Sequence, residues 1–210
     1  MLVRPLNAIL GSVTKVQILR ALLPLTSPAS GRETQRLAGI RSKGALQSAL
    51  NDLSDLGILR REQTRGSHLY RINHRHELYA PLATLFEAEA TRMQRLRTML
   101  HAAISENGLE GLVVSIILYG SNARGSARPA SDADLLVLAG DESAVETVEH
   151  ALAEAGTAIE DSLGARISAY VVPRARAEQR LTDGDPLMQD VASEGRLLYG
   201  EPFPAEARTW

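Results

Sequence analysis

Residues 118–138 read LYGSNARGSARPASDADLLVL. An apolar run, Leu112 to Tyr119, stops at Gly120-Ser121, a loop with two arginines and a proline follows, and the next apolar run opens with Asp132 and Asp134. A strand repeats every two residues, so these carboxylates project to one side while Ala133 and Leu135 project to the other, toward a core. Two like charges held that close are unfavourable unless a cation neutralises them. Hard carboxylate oxygens suit Mg²⁺, which keeps several waters and binds a substrate's phosphates as well. The Gly120-Ser121 turn offers backbone N–H groups, and Asn122-Ala123-Arg124 can start a helix whose N-terminus favours an anion. Phosphate grip and metal clamp together are the parts that phosphoryl or nucleotidyl transfer requires.

The rest of the 210-residue chain has room for one large domain or two small ones. It contains no cysteine, which excludes disulfides, thiolate metal sites and a cysteine nucleophile. The run from Leu112 to Tyr119 is too short to cross a bilayer, and the N-terminus lacks the long apolar stretch of a signal peptide. These features predict a cytoplasmic protein with no membrane partner. The net charge of −2 hides an asymmetry: residues 1–80 carry 12 Lys+Arg against 5 Asp+Glu, and residues 107–210 carry 8 against 17. Two modules are expected, the basic one a candidate surface for a polyanion or simply a solvated basic face.

In the basic module, Ser12 or Thr14 can cap a helix running to about Leu23, where Pro24 ends it. A short helix fits 32–38, stopped by Gly39, and Ser42 can cap a third to about Leu56, with Gly57 as its stop. The segment ILRREQTRGSHLYRIN then predicts a hairpin, Ile58–Gln63 and His68–Ile72, around a turn at 64–67. Three helices and a basic hairpin resemble the winged helix-turn-helix of the MarR and ArsR regulator families. The resemblance implies duplex DNA as partner, with the third helix in the major groove and the hairpin on backbone phosphate. Carried over, Arg41, Lys43, Gln47, Ser48 and Asn51 lie on the groove helix and Arg60, Arg61, Arg65, His68 and Arg71 on the wing. Such modules also serve as protein-contact surfaces.

Residues 77–106 predict one long connecting helix. Leu82, Phe86, Met93, Leu96, Leu100 and Ala103 follow a seven-residue repeat that Glu89 interrupts. That stripe, within residues 78–103, can pair with its copy in a homodimer or pack along its own domain. Asn107-Gly108 ends the helix. The expected divisions are a winged helix over 1–75, a connecting helix over 76–106 and a further domain over 107–210.

Gly-Ser, ten intervening residues, then Asp-x-Asp between apolar residues resembles the signature of the DNA polymerase β-like nucleotidyltransferases. With Ala123-Arg124-Gly125 and Ser131, the string looks most like the minimal nucleotidyltransferases of prokaryotes. The resemblance implies an α+β fold with a small mixed sheet flanked by helices. It implies Asp132 and Asp134 as catalytic metal ligands for Mg²⁺, Gly120 and Ser121 on the β/γ phosphates of a nucleoside triphosphate, and Arg124 and Ser131 beside them. Downstream, Ser143–Ala155 predicts a helix, ARISAYVV a strand, and DPLMQDVASEGRLLYG a short closing helix and strand. One departure stands out. Active relatives carry a third carboxylate on the later strand, whereas Gly164 to Pro173 holds none; Ser168 or Tyr170 occupies that place, and Glu160 and Asp161 fall before it, in an expected strand or turn. Two functions follow: transfer of a nucleoside monophosphate to a hydroxyl, or DNA-binding regulation with a domain that binds nucleotide without turning it over.

Overall fold

The computed structural model describes Leu10, residues 12–128 and residues 131–204. The chain divides between Ala90 and Thr91 into two compact units.

In the first unit, three serines start three helices. Ser12 caps α1 (Val13–Leu22), Ser30 caps α2 (Gly31–Leu37) and Ser42 caps α3 (Lys43–Asp55), each hydroxyl accepting from the N–H three residues on. The two-residue strand β1 (Ala29–Ser30) precedes α2, and the hairpin β2 (Leu59–Gln63) and β3 (His68–Ile72) follows α3. The strands form an antiparallel sheet ordered β1-β3-β2. Its core gathers Val16, Leu19, Leu50, Leu53, Tyr70 and Ile72, closed by Phe86 from α4 (Tyr79–Ala90).

The single helix expected over 77–106 is two helices. α4 packs Phe86 into the first unit, while α5 (Arg92–Glu106) buries Leu96, Leu100 and Ile104 in the second. Glu89 explains the interruption in the apolar repeat: its nearly buried carboxylate takes two hydrogen bonds from Arg20, at 2.9 and 3.0 Å, within the first unit. Of the stripe that could pair with a copy or pack along its own domain, Phe86, Leu96, Leu100 and Ala103 are buried within the units.

The second unit is built on a mixed sheet ordered β6-β5-β4-β7. β4 (Val113–Tyr119) pairs antiparallel with β5 (Ala133–Ala139) and with β7 (Arg196–Gly200). β5 and β6 (Ile167–Pro173) are parallel, joined by α7 (Val145–Leu163). Alternation on β5 feeds two cores. Leu135 and Val137 face α5 and α7, and Leu136 and Leu138 face α8 (Arg174–Thr182) and α9 (Pro186–Glu194). Asp134 shares the second face, one strand repeat before Leu136. α7 runs eight residues beyond its expected end at Ala155, to Leu163, which places Glu160 and Asp161 on a helix. α8 and β1 had no counterpart in the sequence reading.

Candidate active site

The site is made where β4 ends. Tyr119 stands opposite Asp134 in the β4–β5 ladder, and the chain then turns at Gly120, with φ at 68°. Gly120 opens the short helix α6 (Gly120–Arg124), which Gly125 closes in the left-handed conformation. A Cβ on Gly120 would lie 2.6 Å from Oδ2 of Asp134. Glycine is therefore required twice, by its backbone angle and by the carboxylate against it. Gly120 and Ser121 occupy the first turn of α6, where backbone N–H groups have no partner inside the helix. Among the described residues the Ser121 hydroxyl and the Asp134 carboxylate make no hydrogen bond.

The loop from α6 to β5 is pinned from inside. Asn122, 1% exposed, donates from Nδ2 to the Asp132 carbonyl at 2.6 Å, and its Oδ1 is left without a partner among the described residues. Ser131 closes the loop: its Oγ accepts from the Arg128 N–H at 3.0 Å, and its own N–H donates to the Arg128 carbonyl at 2.9 Å. The hydroxyl expected on nucleotide is thus engaged as a loop clasp. Arg124 is also engaged, paired with Glu194 of α9 at 2.7 Å.

Burial raises the Asp134 carboxyl above the ordinary range, the charge of Asp132 adds to the rise, and Arg124 partly opposes it. The Tyr119 phenol is raised by burial, then by Asp134 and Tyr170. Asp132 meets the Arg166 guanidinium, Nε to Oδ1 at 3.4 Å, both side chains being well exposed. Arg166 escaped the sequence reading because nothing at its position marks it; parallel pairing brings it there, and its carbonyl accepts from the Ala133 N–H at 2.7 Å. Asn122 was legible only as the residue after Gly-Ser.

On β6 the residue beside Asp134 is Ser168. Tyr170, one repeat further, accepts from Arg180 at 2.6 Å, and Arg180 is held by Asp185 at 2.8 Å. No group of three or more His, Cys, Asp or Glu side chains among the described residues is placed to hold a metal. The two aspartates do fit a hard cation that brings water and phosphate oxygens as its other ligands. The charge of Asp132 adds to the rise of the Asp134 carboxyl, and side-chain-free Gly120 lies against Asp134.

The nucleic-acid candidates divide differently from their expected grouping. A groove of about 460 Å³ brings Gln47 and His68 together with Ser30, Arg32, Ser67 and Tyr70. Arg32, exposed at the start of α2, was not among the expected contacts. The ladder sets Arg60 opposite Arg71 and Arg61 opposite Tyr70. Arg60 and Arg71 therefore share the hairpin face away from Tyr70, Arg60 bonded to Asn73 at 3.0 Å and Arg71 paired with Glu62 at 2.8 Å. Arg41 and Lys43 are exposed at the start of α3, where Gln47 bonds Asn51 at 3.0 Å, and Arg65 is exposed at the hairpin tip.

Residues 99–198, from the second half of α5 to the middle of β7, match the family model described as "Nucleotidyltransferase domain". That stretch includes the Gly-Ser turn, the aspartate pair and most of the mixed sheet. Two solved structures are similar over 52% of this chain and 77% of their own. One, described as the crystal structure of a toxin-antitoxin with AMP-PNP, has 21% identity and a TM-score of 0.35. The other, of a mutant of the toxin-antitoxin MntA-HpeT, has 20% identity and a TM-score of 0.34. No curated protein matches the chain. No helix among the described residues is long and apolar enough to cross a membrane.

Proposed function

We propose that the second unit transfers a nucleoside monophosphate from a nucleoside triphosphate to a hydroxyl acceptor, releasing pyrophosphate. The observation that carries this reading is the packing of the Asp134 carboxylate against Gly120, with Asp132 beside it at the mouth of β5. Asp132 and Asp134 would hold Mg²⁺. Bound there, the ion would neutralise charge developing on the phosphoryl oxygens. Gly120 and Ser121 present N–H groups and a hydroxyl to the triphosphate. Asn122 holds the Asp132 backbone, so the carboxylate pair need not be ordered when substrate binds. Incubation of the protein with each labelled nucleoside triphosphate and Mg²⁺, followed for pyrophosphate release and label transfer, tests the reading. Release that is unchanged in Asp132→Asn, Asp134→Asn would refute it.

A second reading rests on Ser168. With a hydroxyl beside Asp134 in place of a carboxylate, the site has no evident base for the acceptor, because serine is protonated near neutral pH. On this reading the domain binds nucleotide and turns it over slowly, and the chain acts mainly through DNA. The order of helices and hairpin in the first unit supports a winged helix, and the basic groove with Arg32, Gln47 and His68 supports a phosphate backbone as ligand. Nucleotide-dependent stabilisation without pyrophosphate release would favour this second reading.

A further inference from the structure

Among the described residues β6 is an edge strand that pairs with β5 alone, and Ser168, Ala169 and Tyr170 are exposed. Natural edges are usually blunted by lysine, proline, a bulge or a covering element. β6 contains no lysine, and its proline, Pro173, is its last residue, at the far end from Ile167 and Ala169. Beside this edge, between β6 and α7, runs a groove of about 360 Å³. Ile167 and Ala169 line its strand side, and Gly156 keeps its helix side low. A Cβ at Gly156 would sit 3.3 Å from Cγ1 of Ile167, so a larger residue would fill the trough.

The ends of the trough are acidic. Glu149 and Glu160 both line it, about three turns apart on α7, roughly 16 Å along the axis. The basic lining residue, Arg166, already faces Asp132 at 3.4 Å. An extended chain advances about 3.3 Å per residue and repeats its facing every second residue. Two basic side chains four residues apart on an added strand therefore project the same way, about 13 Å apart, and long stems cover the remaining distance.

We infer that the free edge of β6 and the trough beside it bind an extended basic peptide of another protein, added as a strand. Backbone hydrogen bonds to β6 supply affinity, and Glu149 and Glu160 select lysine or arginine spaced four apart. Arg166, which lines the trough and meets Asp132, puts one end of the bound segment next to that carboxylate. The inference is independent of whether the domain turns nucleotide over.

The test uses the full chain and a fluorescein-labelled heptapeptide pool with lysine at the second and sixth positions and Val, Thr, Ser or Ala elsewhere. Anisotropy is expected to show saturable binding, weakened at least ten-fold by Glu149→Lys with Glu160→Lys. Both positions are exposed on α7, and circular dichroism with the melting temperature checks that this variant is folded. A glutamate-for-lysine pool and a pool N-methylated at alternate residues are each expected to bind at least ten-fold more weakly. Equal affinity for the charge-reversed protein, equal affinity of the N-methylated pool, or no binding at about 100 µM peptide overturns the inference. So does sedimentation showing that the chain dimerises through a contact the same two substitutions abolish, because the edge would then belong to a second copy.

Discussion

At the scale of single residues, the domain concentrates its cost around Gly120 and Asp134. Gly120→Ala adds a methyl group that meets the Asp134 oxygen, at a φ that L residues rarely adopt. A loss of about 1–3 kcal/mol is expected, measured by denaturant unfolding, together with loss of the melting-temperature increase expected of the parent with a nucleoside triphosphate and Mg²⁺. Asp134 behaves in the opposite sense. Its carboxyl is raised in the folded chain, by burial first and then by Asp132, so folding favours the protonated form. The folded state therefore loses stability as pH rises from the unfolded value of about 4 through the raised folded value, and the loss is complete above it. Asp134→Asn is expected to flatten that slope and to melt no lower than the parent at pH 7, while losing the nucleotide shift. A clear fall in melting temperature at pH 7 would contradict this account. Ser168→Asp places a carboxylate beside Asp134 on β6 and is expected to raise pyrophosphate release by about ten-fold or more. No gain would send the search for a base to the acceptor itself.

At the scale of elements, the hairpin shows how a strand's alternation redistributes a run of charges. Arg60 and Arg61 are adjacent in sequence and lie on opposite faces. If duplex DNA occupies the groove that holds Gln47 and His68, Arg32→Ala and Arg61→Ala should each reduce the slope of log affinity against log salt by about 0.9. Arg71→Ala, paired with Glu62 on the other face, should leave the slope unchanged. Filter binding across a salt series distinguishes the two outcomes. Much of this architecture was legible beforehand. Serine caps and apolar spacing marked the first and third helices and Gly39 the end of the second, because such signals are local and written in neighbouring residues, whereas the Ser30 cap of the second went unread. The hairpin was marked by its turn, and the aspartate strand by its spacing. Other features depended on distant partners. β1 is two residues whose pairing with β3 has no local signal, and α8 carries a single buried apolar residue, Ala177. The fate of Glu89 required Arg20, 69 positions away in sequence. Arg166 is placed against Asp132 by parallel pairing, which no spacing in the sequence announces.

At the scale of the whole molecule, each unit owns a hydrophobic core, one around Leu50 and Tyr70 and the other around the sheet of β4 to β7. Expressed separately, residues 1–90 and 91–210 are each expected to fold cooperatively in urea. Nucleoside triphosphate with Mg²⁺ should stabilise only the second fragment, and duplex DNA should bind only the first. A second fragment that remains unfolded alone would show that its core is incomplete without the first. The boundary at Thr91 explains why a single apolar repeat misled: one stripe in the sequence serves two cores in turn.

The pairing of β4 with β7 sets an order in time. β4 is an inner strand, yet one of its two neighbours comes some eighty residues later, and the Ser115 hydroxyl reaches the Glu201 carbonyl at 2.6 Å. On a ribosome the first unit has all its strands and helices once Ala90 has emerged. The sheet of the second must wait, one side of β4 unpaired, until about residue 200 is free of the exit tunnel. During that interval the strand that leads into the Gly120 turn is an exposed apolar edge. A chain stalled or cut short before β7 would therefore be a candidate for chaperone capture, even though it already contains the Gly120 turn, Asp132 and Asp134.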